Sequence, residues 1–115
     1  MTLLNSFQSV FRPNLFAGQT VLVTGGGSGI GRCTAHELAS LGADLALVGR
    51  KMEKLEAVKA EIEQTCTVKI SLHSCDIREE ERVKETVADV LAIHGKINHL
   101  INNAGGQFPS PLNMI

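Results

Sequence analysis

The sequence predicts an α/β fold built on a doubly wound parallel sheet, and three observations carry that prediction. Apolar runs alternate with amphipathic segments from Gly18 onward. The run Asp44 to Val48 contains Leu-Ala-Leu-Val without polar alternation, as a strand covered on both faces should. A glycine turn, Gly25 to Gly31, joins the first apolar run to the first amphipathic segment. Strands alternating with helices of this length form right-handed βαβ units.

Thr20 to Val23 is the first predicted strand. Gly29 to about Leu41 then places Ile30, Thr34, Leu38 and Leu41 at helical spacing, with Ile30 expected to pack the helix on the sheet and Gly42 to stop it. Asp44 to Val48 is the second strand. Lys51 to Gln64 carries Met52, Leu55, Val58 and Ile62 on one face with Glu and Lys opposite, an amphipathic helix. Val68, Ile70 and Leu72 alternate with polar partners and predict a third strand. Arg78 to His94 is the third helix, with Val83, Val87, Val90 and Leu91 expected inside and Gly95 after it. Ile97 to Ile101 is the fourth strand, ending at Asn102.

The usual winding puts the fourth strand beyond the first, giving the order 3-2-1-4 and a switch point between strands one and four. Ligands bind outside the carboxyl ends of strands at such a point. Thr24 to Gly31 and Asn102 to Gly105 both fall there. Glycines admit positive φ angles and close approach of a ligand, and a helix start offers unpaired N–H groups at the positive end of a dipole. That combination binds phosphate.

The spacing Gly25, Gly29, Gly31 departs from G-x-G-x-x-G. A phosphate loop of the G-x-x-x-x-G-K-[ST] type is excluded because Gly31 is followed by Arg32-Cys33, which lack the lysine and the magnesium-binding hydroxyl. TGxxxGIG at Thr24 to Gly31, followed by Asn102-Asn103-Ala104-Gly105, resembles the short-chain dehydrogenase/reductase family, whose fold is of the Rossmann type. Gly106-Gln107-Phe108 with Ser110-Pro111 is similar to the branch holding peroxisomal trans-2-enoyl-CoA reductases, 2,4-dienoyl-CoA reductases and citronellol or citronellal dehydrogenase-like members.

The resemblance implies an NADP(H)-dependent oxidoreductase acting on an enoyl- or acyl-CoA or on a small alcohol or aldehyde. It also implies a homo-oligomeric parent, a dimer or tetramer. Ser28 can bond a phosphate oxygen, while Gly25 and Gly29-Ile30-Gly31 bring main chain to the pyrophosphate. Arg32 reads equally as a solvated cation or a phosphate contact. Val48-Gly49-Arg50-Lys51 ends the second strand with no carboxylate before Glu53. NAD calls for an acidic side chain there and a 2′-phosphate for arginine, so NADP(H) is expected over NAD. A cation at a helix start is disfavoured by up to about 1 kcal/mol, which an external anion would relieve. The planar fork of Arg50 suits phosphate, with Lys51 beside it.

In the family, an Asp followed by a small aliphatic residue after the third strand holds the adenine amino group, a role that falls on Asp76 and Ile77. Asp76 with Glu79 also reads as an N-cap and its N3 partner. Asn103, Ala104 and Gly105 are expected to line the coenzyme, and Asn102 to tie the strand end to its neighbour. The family's catalytic Tyr-x-x-x-Lys has no counterpart, because the chain contains no tyrosine. No catalytic residue is assigned, and the 115 residues read as an N-terminal half truncated before the catalytic segment. A non-catalytic nucleotide-binding module and an inactive remnant are the alternatives.

Residues 18–115 are expected to form this half-domain, with 1–17 an arm whose Phe7, Phe11 and Phe16 cover a sheet edge or a partner chain. A formal net charge of −1 and the absence of any Lys/Arg-rich run exclude a general grip on nucleic acid or anionic membrane. Met1 to Gln19 has neither the basic head of a secretory signal nor a membrane-spanning run. Cys33, Cys66 and Cys75 lack C-x-x-C spacing, and His36, His73, His94 and His99 are scattered, so neither a disulfide framework nor a metal site is expected. Reduced thiols suit a cytoplasmic setting, with the peroxisome as the alternative for a eukaryotic parent.

Overall fold

A computed structural model describes residues 9–103. The chain runs β1(Thr20–Thr24), α1(Gly29–Ser40), β2(Asp44–Gly49), α2(Met52–Glu63), β3(Ile70–Ser74), α3(Glu80–His94) and β4(His99–Asn102). All neighbouring strands are parallel, in the order β3-β2-β1-β4 expected of the winding. None of the helices described is long and apolar enough to cross a membrane.

Alternation along each strand sorts its side chains between two layers. Val21, Val23, Leu45, Leu47 and Ile70 join Ala35, Leu38, Leu55, Val58 and Ile62 in the core beneath α1 and α2. Leu22, Ala46 and Val48 face the other way and meet Cys75 and Val90, with Val83 and Ile97 packed against them. β1 is buried along its whole length, which is why it carries no polar alternation.

α1 ends in paired 6→1 and 5→2 bonds: Ala43 N–H to Leu38 O at 3.1 Å and Gly42 N–H to Ala39 O at 3.0 Å, with Gly42 at φ +92°. Its buried side is Gly31, Ala35, Leu38 and Ala39. Ile30, expected to pack the helix on the sheet, is instead 74% exposed. The residue after it occupies the sheet-facing position, and one step along a helix turns the side chain by about 100°. On α3 the inner positions are Thr86 and Val90, and Leu91 stands 44% exposed rather than inside. The inner stripe steps from Val83 through Thr86 to Val90, leaving Leu91 on its flank.

β3 begins at Ile70, two residues after Val68. Its polar residues Ser71 and His73 are buried under α3. Ser71 Oγ lies 2.8 Å from both His73 Nε2 and His94 Nε2, so one hydroxyl joins the strand to the end of the helix. Burial lowers the pKa of both imidazoles. At the opposite strand edge, Phe16 meets the ring of His99 edge-on at 5.7 Å and packs on the larger core. Leu100, on the outer strand β4, is 61% exposed.

Candidate coenzyme-binding site

The carboxyl ends of β1, β2 and β3 and the starts of α1 and α2 open onto one cleft of about 820 Å³. It forms there because every parallel strand delivers its following loop to the same end of the sheet. Gly25 and Ser28 enter it from the glycine turn, Arg50 and Lys51 from the end of β2, Asp76 and Ile77 from the end of β3, and Asn103 from the end of β4. Gly29, Ile30 and Gly31 are not among the residues lining this cleft; they follow Ser28, which does line it, as the first turn of α1. Ala104 and Gly105 lie outside the described residues.

The geometry of the turn accounts for its glycines. Gly29 has φ +57° in open space, a left-handed backbone that costs other residues about 1–2 kcal/mol. At Gly31 the constraint is steric, since a Cβ would lie 2.0 Å from Gly25 O and 2.8 Å from Asn103 Nδ2. A Cβ on Gly27 would lie 2.9 Å from Lys54 Cβ, so α2 seats closely against the turn. Ser28, the α1 N-cap, has extended backbone and makes no side-chain capping bond. Arg32 N–H donates to Ser28 O at 3.2 Å, which places the amides of Gly29 to Gly31 ahead of the helix ladder. The unspent hydroxyl and these amides form a cradle for an oxyanion.

Thr24 closes the floor. Its Oγ1 accepts from Asn103 N–H at 2.9 Å and donates to Asn102 Oδ1 at 3.2 Å, locking β4 to β1 where the glycine turn begins. Asn102 thus ties the strand ends together, as its position suggested. Arg32 points elsewhere: its fork grips Glu61 on α2 with two 2.8 Å bonds, and His36 lies 3.1 Å from the same carboxylate. The hydrogen bond from Arg32 holds Glu61 below the usual carboxylate range. Arg32 is therefore a brace between α1 and α2, which answers the reading left open in the sequence.

Asp76 does not cap α3. The N-cap is Glu79, and Asp76 Oδ1 instead accepts Arg78 N–H at 3.0 Å in a turn before the helix. The correction follows from chain geometry: an Asx turn closing two residues on leaves Asp76 too far from the first helical amides. The Arg78 guanidinium spans both carboxylate oxygens, with Nε at 3.0 Å from Oδ1 and Nη2 at 2.7 Å from Oδ2. That bond, the main-chain donor and nearby Arg50 bring the Asp76 pKa down to about 2.

Lys54 and Arg78 also line the cleft and were missed in the sequence. Their signals were present: Lys54 stands three residues beyond Lys51 on one helix, and Arg78 two beyond Asp76. Among the described lining residues, Arg50, Lys51, Lys54 and Arg78 thus face one carboxylate, Asp76. Such an imbalance fits a ligand with several negative charges.

Comparison with known proteins agrees with this architecture. The chain is 63% identical to a citronellol catabolism dehydrogenase (AtuB) of Pseudomonas aeruginosa PAO1, superposing with a TM-score of 0.82 over 93% of this chain and 43% of that one. It is 43% identical to the glucose 1-dehydrogenase of Gluconobacter oxydans (strain 621H) over 84% of its length and 36% of the relative's. It is 32% identical to the peroxisomal 2,4-dienoyl-CoA reductase of Danio rerio over 94% of its length and again 36% of the relative's. The chain therefore spans about a third of the length of these curated relatives. A metagenomic short-chain oxidoreductase in complex with NADP (40% identical, TM-score 0.74, 86% of this chain and 45% of that one) and an NAD+-bound xylitol dehydrogenase (41%, 0.77, 81% and 35%) share the fold as well. The short chain dehydrogenase family profile matches residues 19–115. With its 3-2-1-4 parallel sheet, its glycine turn and that match, this chain belongs to the short-chain dehydrogenase family of oxidoreductases.

Proposed function

We propose that this chain carries the coenzyme-binding part of an NADP(H)-dependent oxidoreductase. The observation that carries the proposal is the cation group at the end of β2. Arg50 and Lys51 stand in the cleft with Lys54 one turn beyond, and among the described lining residues none on that side is a carboxylate. Similar structures hold either NADP or NAD+, so the preference rests on these side chains. A 2′-phosphate suits the fork of Arg50, whereas ribose hydroxyls would call for an acid.

Bound nicotinamide supplies or accepts a hydride, and that chemistry belongs to the coenzyme. The residues of this chain bind and orient. Ser28 Oγ and the α1 amides take the pyrophosphate, Asp76 accepts the adenine amino group beside Ile77, and Asn103 lines the strand end toward the nicotinamide ribose. For the parent enzyme we propose an enoyl- or acyl-CoA or a small alcohol or aldehyde as substrate, by similarity to the AtuB-like and dienoyl-CoA reductase-like relatives.

Calorimetric titration with NADPH and NADH tests the proposal. Charge-assisted bonds to the 2′-phosphate contribute about 1.5–3 kcal/mol, so NADPH should bind roughly tenfold to a hundredfold more tightly, and Arg50→Asp should erase or reverse the difference. Equal affinities in the unsubstituted protein would contradict it.

A further inference from the structure

We infer that Arg78 is a latch on the base-binding carboxylate: it holds Asp76 until a ligand's amino group displaces it, and the freed guanidinium then joins the cations that receive the 2′-phosphate. This rests on the nucleotide reading above and adds a coupling between the two ends of the adenosine moiety.

The two carboxylate oxygens are held differently. Oδ1 accepts the main-chain N–H of Arg78 at 3.0 Å, a bond the turn itself keeps. Oδ2 is held by the guanidinium alone, from Nη2 at 2.7 Å and Nε at 3.2 Å. Arg78 is also the outer partner, its side chain 73% exposed against 24% for Asp76. An exposed side chain can swing away while the carboxylate stays anchored by the main chain. An entering amino group competes for Oδ2, because both are donors to the same outward oxygen. Once displaced, the guanidinium keeps its charge and its fork is available to an anion. Among the described lining residues Asp76 is the only carboxylate, and Glu79, whose charge also acts on Arg78, is not among them, so within the cleft the freed guanidinium is left to the phosphate of the ligand that displaced it.

Occupation of the base site therefore creates part of the phosphate site. A ligand carrying both groups recovers the broken ion pair; a ligand carrying only the base does not.

Adenosine 2′,5′-bisphosphate and adenosine 5′-monophosphate differ by the 2′-phosphate alone and separate these cases. Both are titrated calorimetrically into the full chain and into Arg78→Ala, Arg78→Lys and Arg50→Ala, with thermal melts confirming that each variant folds. Arg78→Ala should weaken the bisphosphate about tenfold. It should also tighten the monophosphate up to about fivefold, as expected for removal of an exposed competing ion pair. Arg78→Lys, which keeps the charge but not the fork, should retain part of the bisphosphate affinity. Arg50→Ala should weaken the bisphosphate without tightening the monophosphate. Equal weakening of both ligands by Arg78→Ala, or no change in either, would overturn the latch while leaving the coenzyme proposal standing. Equal affinity of the unsubstituted chain for the two ligands, or binding of neither, would overturn the coenzyme proposal and the latch with it.

Discussion

Replacing Gly31 with alanine perturbs the one place where turn, helix and β4 meet. The added methyl would sit 2.0 Å from Gly25 O, 2.7 Å from Gly25 C and 2.8 Å from Asn103 Nδ2. The first two are backbone atoms, and Gly25 is itself fixed by its N–H bond to Val48 O at 2.8 Å, so no rotamer change relieves the contact. Either α1 lifts from the turn or the turn lifts from β2. Inserting a methylene where nothing can yield costs about 1–3 kcal/mol, which for a chain of this size lowers the melting temperature by roughly 4 °C per kcal/mol or more. Gly29→Ala is the comparison. It meets nothing within 4 Å and differs only in asking an L-residue to hold φ +57°. Gly31→Ala should therefore be the more damaging to nucleotide binding, because it moves Asn103 and the amides together. Far-UV circular dichroism melts paired with NADPH titration measure both effects. A Gly31→Ala protein with unchanged melting and unchanged affinity would refute the close-contact account.

Acid should loosen the seat of α3 before it touches the coenzyme cleft. Burial lowers the pKa of His73 and His94 below 6.5 in the fold, so the unfolded chain binds more protons as pH falls. Stability is complete above about pH 6.5 and declines below it; melts at pH 7.5 and 5.5 check this, and an unchanged melting temperature would contradict it. The Glu61 and Asp76 carboxyls are lowered in the fold as well, so their contributions are held until pH falls below about 4.5 and then lost toward the folded values. The 115-residue chain alone should show no turnover of NADPH with an enoyl-CoA or an aldehyde, since it contains no tyrosine to serve as the family's proton donor. Measurable coenzyme oxidation by rigorously purified chain would contradict this.

Local pattern made much of the fold legible. The unalternated Leu45 to Val48 announced a strand buried on both faces, and Gly42 announced the end of α1. The chirality of βαβ units then leaves few arrangements, which is why the strand order could be read without coordinates. The glycine spacing likewise marked the tight turn between β1 and α1. What stayed hidden depends on pairs distant in sequence but close in space. Arg32 finds Glu61 only because α1 and α2 lie side by side, and Ser71 finds His94 only because α3 folds back across β3. Ile30 and Leu91 were misplaced for a different reason. Each is an apolar residue next to the true inward position, Gly31 for Ile30 and Val90 for Leu91, and at Gly31 the main chain of Gly25 comes so close that only glycine fits. Composition alone ranks the larger residue first; proximity of the backbone decides otherwise.

Amide chemical-shift mapping with NADP+ tests the central claim most directly, because it locates the ligand residue by residue. Cross-peaks of Ser28 to Gly31, Arg50, Lys51, Asp76, Ile77 and Asn103 should move together and saturate at one dissociation constant, while those of Glu61 and His94 stay in place. Shifts scattered over the surface, or confined to residues outside the cleft at the carboxyl end of the sheet, would contradict the assignment of this cleft as the coenzyme site.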